Sequence, residues 1–319
     1  MTDSRPVQKK DLVIVGGGPA GLTSAIYARR SLIDAVTLER ESFGGQMILT
    51  SEVDNYPGVM HADAFSLADA MREQAEDLGA QVVMDRVTSL SHDPASGRFL
   101  VEADGARYDA ASVILAAGAQ PRRAGFDGEE GFAGHGVSYC ATCDGMFYRG
   151  KQVFVVGGGN SAAEEALFLA RLASKVTVVV RKDHLRAQTA VVAELEANPK
   201  VEVRTLTSIV RLEGGQLPSR ITFRSNDTGT EWVEAYDEGS FGVFVLVGRT
   251  PESDLVSGLA DLDAQGYVIT DERLATRTPG LYVAGDVRTK PLRQIVTAAS
   301  DGAVAATSVA AYLGRPVEG

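Results

Sequence analysis

Two stretches of the chain carry the same succession of apolar and polar positions. In DLVIVGGGPAGLTSAIYARR (11–30) and QVFVVGGGNSAAEEALFLAR (152–171) a short β-branched run is followed by glycines and then by an alanine-rich segment of helical character. Each predicts a strand, a tight turn and a helix. Two further runs, ASVILAAGAQPR (111–122) and FGVFVLVGRTPE (241–252), read as strands ending in small residues and bracket the second copy. They are the expected crossings where the chain leaves a first domain and returns to it, with Pro121 and Pro251 marking the turns. The division expected is therefore 1–122, 123–248 and 249–319, with the first domain split in sequence. The returning segment predicts a strand from Leu281 to Ala284, a Gly285-Asp286 turn and an alanine-rich helix. RFLVEADGARYDAASVIL, VEVRTLTSIVRLEG and SRITFRSNDTGTEWVEAY alternate apolar and polar positions, which predicts half-buried antiparallel ribbons. The polar start, MTDSRPVQKK, reads as a loose tail.

The repeated pattern has a chemistry. The first glycine of such a turn lets the chain reverse sharply, the second lets backbone approach a pyrophosphate, and the third position lets the helix pack on the strand. Gly16, Gly18 and Gly21 fill these positions in the first copy, and Gly157, Gly159 and Ala162 in the second. Beyond them the copies diverge. The first reaches Glu39, a carboxylate able to accept from both hydroxyls of a ribose, whereas the second has Val180 there, followed by Arg181, Lys182 and Arg186. That basic cluster suits a ribose 2′-phosphate, although a solvated charged loop has the same composition. A nucleotide without that phosphate, such as FAD, in the first site and NADPH in the second is the simplest assignment. The fold class expected is α/β, with two Rossmann-like dinucleotide-binding domains of three-layer β-β-α type, the FAD domain discontinuous. Asp286, at the end of a strand, is placed to hydrogen-bond a polyol such as a ribityl chain.

Composition narrows the classes. In 319 residues the net charge is −11 and the pI about 4.9, against a phosphate-contacting nucleic-acid surface. No apolar run reaches membrane-spanning length, and no secretory apolar stretch opens the chain, so the cytoplasm is the compartment expected. Two cysteines, Cys140 and Cys143, cannot form the disulfide framework of a secreted domain. His61, His92, His135 and His184 are scattered, so no metal site is expected. A two-residue spacer instead lets both sulfurs close a small reducible ring, and its place just before the second nucleotide unit suits a two-electron relay. Asp144 adjoins Cys143 and is a candidate general acid and base for the leaving thiolate, as well as an ordinary turn residue.

Over residues 11–314 the sequence resembles the low-molecular-weight thioredoxin reductases, the second class of pyridine nucleotide-disulfide oxidoreductases. The resemblance rests on GGGPAG, GGQ (44–46), NYPG (55–58), CATCDG, GGGNSAAEEA, RKDHLRA, GLYVAGD and RQ (293–294). It implies a homodimer binding FAD and NADPH, with electrons passing to the cysteine pair and on to the disulfide of thioredoxin or a thioredoxin-like protein. It implies that Cys143 faces the flavin, Cys140 attacks the partner and Asp144 donates the proton. It places Gln46, Asn55, Arg293 and Gln294 with Gly16, Gly18, Gly21, Glu39 and Asp286 among flavin contacts, and a hinge at the two crossings. Two departures stand out: Val180-Arg181-Lys182 replaces a common His-Arg-Arg, and Met146-Phe147 replaces two phenylalanines that help dock thioredoxin. The rival readings are a reductase of the same design for a glutaredoxin-like or peroxiredoxin-linked protein, one fed by ferredoxin, and a flavin-binding redox sensor.

Overall fold

The computed structural model describes residues 6–49 and 52–316. The chain forms two units: one takes in the chain up to Ile48, Tyr56–Gln120 and the chain from Thr250, and the other Pro121–Arg249 with the short stretch before Tyr56.

The first unit is built on a seven-stranded sheet. Its order is Gln81–Met84, Ala35–Glu39, Val7–Val15, Arg107–Leu115, Arg98–Ala103 and Val87–Asp93, and Leu281–Val283 joins beside Arg107–Leu115. The first four strands and Leu281–Val283 run parallel, while the last two form an antiparallel ribbon. Alternation along Val7–Val15 decides the layering. Leu12 and Ile14 enter a core with Ala20, Ala25, Ala305 and Val309, from the helices Pro19–Arg30 and Ile295–Tyr312. Val13 and Val15 enter a second core on the opposite face, with Phe99, Val101, Val256 and Val268. A strand buried on both faces reads as a continuous apolar run, as the Leu12–Val15 half of this one does. The two helices meet closely: a Cβ on Gly302 would lie 2.2 Å from the Ala20 carbonyl oxygen, and the Ser24 hydroxyl donates to the Gly302 carbonyl at 3.1 Å.

One expectation about this unit is corrected. Residues 7–10 are not a loose tail but the first half of the strand Val7–Val15, paired with Arg107–Ala110. The strand Arg107–Leu115 is long enough to leave an open edge there, and pairing it satisfies backbone groups that water alone would otherwise serve. Lys10 fastens the segment by donating to Asp34 at 2.9 Å and Gln81 at 2.7 Å.

The second unit repeats the layering. Its five-stranded parallel sheet has the order Val137–Ser138, Phe241–Val245, Gln152–Val156, Lys175–Val179 and Val201–Arg204. Val153 and Val155 face the helix Asn160–Ala170, while Phe154 faces an antiparallel ribbon of Thr207–Gly214, Pro218–Ser225 and Glu231–Ala235. There the Phe154 ring lies 5.7 Å from Phe223 and 5.6 Å from Phe241. The ribbon predicted from 201 onward begins only at Thr207. Val201–Arg204 is the parallel edge strand of the main sheet, because alternation at an edge looks the same whichever way the neighbour runs. The crossings Ala119–Pro121 and Arg249–Pro251 pair with each other as a two-stranded sheet. Among the described residues no helix is long and apolar enough to cross a membrane.

Candidate functional site

The first glycine turn is held by contacts that admit no side chain. Gly16 has a φ of +110°, and a Cβ on it would lie 2.4 Å from the Ala116 carbonyl oxygen. A Cβ on Gly21 would lie 1.8 Å from the Gly16 carbonyl oxygen, so helix and turn meet through the missing side chain. Around Gly18, by contrast, a Cβ would meet only Gly45 and Gly44 backbone at 3.9–4.0 Å, which leaves the mouth of the turn open. We expect Gly21→Ala to cost about 1–3 kcal/mol or more by overpacking and to yield protein depleted in flavin, read by thermal unfolding and visible absorbance.

Glu39 reaches this turn from the end of Ala35–Glu39. Nearly buried, it accepts at Oε2 from the Gly17 N–H at 2.6 Å, and at Oε1 from the Arg40 and Glu41 N–H groups at 2.8 and 2.9 Å. A carboxylate has about four lone-pair sites, so these bonds orient it and leave capacity for a ribose hydroxyl. It lines a cleft of about 270 Å³ with Gly16, Arg40, Thr88 and Glu252. Asp286 lies in the turn Gly285–Val287 that follows Leu281–Val283, and a Cβ on Gly285 would touch Ala20 of the fingerprint helix at 3.0 Å. Arg293 donates to the Asp286 carbonyl at 3.4 Å and stacks over Tyr267 at 4.0 Å. Gln294 caps the helix Ile295–Tyr312 through a reciprocal box with Thr297. Gln46 donates to the Ala119 carbonyl and to Gln120 at 3.1 Å. Asn55 lies exposed in a turn of the stretch grouped with the other unit.

The second glycine turn opens on a cleft of about 450 Å³. A Cβ on Gly157 would lie 2.5 Å from the Leu246 carbonyl oxygen and 2.8 Å from the Ala162 Cβ, whereas nothing lies within 4 Å of one on Gly159. Arg181, Lys182 and Arg186 line this cleft with Gly157, Gly159 and Ala162. The basic loop is tied to the turn by the Arg186 N–H, which donates to the Gly158 carbonyl at 2.7 Å, and by the Gln188 N–H, which donates to Asn160 at 2.8 Å. Val180 is buried beneath the turn, its Cγ1 2.9 Å from where a Cβ on Gly158 would sit. Val180 also lines the cleft, so an apolar side chain stands at the position that Glu39 fills in the first copy. Arg122, Arg123 and His184 also line the cleft and were not singled out from sequence. The run QPRR signalled only a turn, since what brings 122–123 beside 181–186 is sheet topology.

Cys140 and Cys143 form a disulfide with Cα atoms 5.3 Å apart, at the start of the short helix Ala141–Asp144. Buried Ser138 organises the turn: its hydroxyl donates to Asp144 Oδ2 at 2.6 Å and accepts from the Cys140 N–H at 3.1 Å. The Asp144 N–H donates to the Cys140 carbonyl at 3.1 Å. Burial, with a smaller contribution from Asp144, pushes the Tyr148 phenol up to about 12, so it stays neutral. Sequence reasoning missed Ser138 and also Glu165, whose Oε2 accepts from the Ala141 N–H at 3.0 Å. Burial raises the Glu165 carboxyl above the ordinary range, opposed by that hydrogen bond and by Arg249. A signal existed: Glu165 lies three residues after Ala162 and four before Leu169, both fully buried, so it sits on the apolar stripe of its helix.

The family model of the pyridine nucleotide-disulphide oxidoreductases matches residues 10–302. A thioredoxin reductase of Peptoclostridium acidaminophilum is 44% identical over 95% of this chain and 96% of its own. A bifunctional thioredoxin reductase/thioredoxin of Mycobacterium leprae is 40% identical over 95% of this chain and 66% of its own. The crystal structure of thioredoxin reductase from Streptococcus pyogenes superposes with a TM-score of 0.90 at 39% identity, covering 97% of this chain and 99% of that one.

Proposed function

This chain belongs to the pyridine nucleotide-disulphide oxidoreductase family, and from that premise we propose how its residues divide the work. The activity is NADPH-dependent reduction of thioredoxin disulfide: bound NADPH and FAD supply two-electron hydride chemistry, and the Cys140–Cys143 disulfide passes the electrons on. Gly16, Gly18 and Gly21 would cradle the FAD pyrophosphate, Glu39 its ribose, and Gln46, Asn55, Asp286, Arg293 and Gln294 its remaining polar groups. Gly157, Gly159 and Ala162 would hold the pyrophosphate of NADPH, with Arg181, Lys182 and Arg186 on its 2′-phosphate.

The observation that carries this reading is the disulfide turn itself, in which Ser138 aims the Asp144 carboxylate and braces the Cys140 amide together. In the reduced protein Asp144 takes the proton of the Cys140 thiol, the resulting thiolate attacks one sulfur of the partner disulfide and breaks the S–S bond, and Asp144 returns that proton to the departing thiolate. Cys143 then gives up its proton and attacks Cys140, restoring the internal disulfide, and the departing partner sulfur takes that proton, so the partner leaves with two thiols. Two electrons and two protons leave this chain and arrive on the partner. Ser138 keeps Asp144 from drifting away between the two half-steps.

The residue ranges 1–122 with 249–319 would bind FAD, and 123–248 would bind NADPH and carry the cysteines. The M. leprae relative, in which a thioredoxin is named within the same chain, supports thioredoxin as partner over a glutaredoxin-like one. A cytoplasmic homodimer completes the proposal. The test is anaerobic titration of the yellow protein with NADPH and then with thioredoxin or a glutaredoxin. NADPH should bleach the flavin and expose two thiols, and only thioredoxin should restore the colour. The same preparation should sediment at twice the 33.7 kDa chain mass. A protein that cannot take up flavin, or that exposes no thiols, would sink the reading.

A further inference from the structure

One carboxylate in the second unit takes no part in these steps. Glu165, on the helix Asn160–Ala170, accepts from the N–H of Ala141, the fully buried residue directly after Cys140. From the other side the Arg249 guanidinium donates to the carbonyl of Tyr139, directly before Cys140, at 3.4 Å. Cys140 is thus braced one residue before and one residue after by groups of opposite charge. The helix that carries Glu165 begins at the glycine turn of the 450 Å³ cleft, so the nucleotide turn and this brace share one rigid element.

We propose that Glu165 is a positioning residue of the disulfide step, fixing Cys140 through the Ala141 amide and using its negative charge to keep the reduced pair strongly reducing. The inference rests on Cys140–Cys143 being the working disulfide. An amide already engaged by Glu165 is not offered to a thiolate, and a negative charge beside the turn disfavours a second one. Both effects destabilise the thiolate that the reduced pair forms, so the dithiol–disulfide equilibrium moves toward the disulfide and the pair passes its electrons to a partner disulfide more readily. Burial raises the Glu165 carboxyl; Arg249 opposes this and Glu164 on the same helix adds to it. The charge is therefore lost at a higher pH than an exposed glutamate would lose it. As pH falls through that raised value the constraint on the thiolate relaxes. Of the other ionisable groups at the turn, Asp144 is the same in both proteins compared, and burial keeps the Tyr148 phenol and the Tyr139 phenol, which donates to Glu129 at 3.1 Å, neutral.

The test uses flavin-loaded Glu165→Gln, which keeps an acceptor for the Ala141 N–H and removes the charge. Each protein is equilibrated with lipoate redox buffers and its free thiols are counted, while absorbance follows the flavin separately. The dithiol–disulfide equilibrium should shift about tenfold toward the dithiol, about 30 mV for this two-electron couple. In a Cys143→Ser background, alkylation of Cys140 by iodoacetamide should reach half-maximum at lower pH when Glu165 is also replaced. With Glu165 intact that profile should require two ionisations. An unchanged equilibrium in Glu165→Gln overturns the proposal. If that variant does not fold, a single-ionisation profile in Cys143→Ser overturns it instead. Failure of NADPH to expose any thiols in the unmodified protein would strike the working-disulfide reading rather than Glu165.

Discussion

Replacing Cys140 with serine is expected to leave bleaching of the flavin by NADPH intact and to abolish delivery of electrons to thioredoxin, with turnover falling by about 10⁴-fold or more. A serine oxygen cannot close a disulfide, so the loss is of the carrier itself and not of a favourable contact. The turn should survive the change, because Ser138 bonds the backbone amide of residue 140 and Glu165 bonds that of Ala141, neither depending on the sulfur. Cys143→Ser separates the roles of the two sulfurs. It leaves the attacking thiol in place but removes the one that resolves the mixed disulfide. Mixed with oxidised thioredoxin, Cys143→Ser should accumulate a covalent adduct visible by mass spectrometry and dispersed by dithiothreitol, whereas Cys140→Ser should not. Adduct formation by Cys140→Ser alone would reverse the assignment of attacking and resolving sulfur.

What could be read from sequence follows how local each physical demand is. A glycine turn between a strand and a helix is dictated largely by its own backbone path, and Gly21 against Gly16 and Gly157 against Ala162 meet within that turn in the folded chain. The cysteine pair is equally local. Glu39 was legible because a parallel strand beside the first must end level with the glycines, and the Gly17 N–H finds it there. The residues that were not legible depend on distant segments. Arg122 and Arg123 join the basic cleft only because the crossing ends beside the turn at Gly248, whose carbonyl accepts from the Arg122 N–H at 2.9 Å. Val7–Lys10 became strand because the open edge of residues 107–110 lies opposite. Glu165 has a sequence signal in its helical position, but that signal gives burial and not a partner, since Ala141 arrives from another element. Periodicity thus foretells which face is covered more readily than what covers it.

The basic cleft makes the second large prediction, which concerns the choice between nucleotides. Replacing both Arg181 and Arg186 with alanine is expected to lower kcat/KM for NADPH by about 10²-fold and to change that for NADH by less than about threefold. The two nucleotides differ by a single phosphate, so a group that touches only this phosphate discriminates and one that touches the shared pyrophosphate does not. Hydrogen bonds to a charged group contribute about 1.5–3 kcal/mol each when desolvated; both arginines are exposed in the open cleft, so about 1.4 kcal/mol each, tenfold, is the fitting scale. The substitutions should leave the loop in place, because what ties it to the glycine turn is the Arg186 backbone N–H on the Gly158 carbonyl and the Gln188 N–H on Asn160. Lys182 remains on the same cleft wall and should preserve a residual preference as a point charge without a planar fork. Raising the salt concentration should narrow the preference of the unmodified protein and have little effect on the double variant. Steady-state kinetics with each nucleotide decides the matter. An equal fall for NADH and NADPH would move both arginines from the 2′-phosphate to the pyrophosphate, and with them the basis on which the second site was assigned.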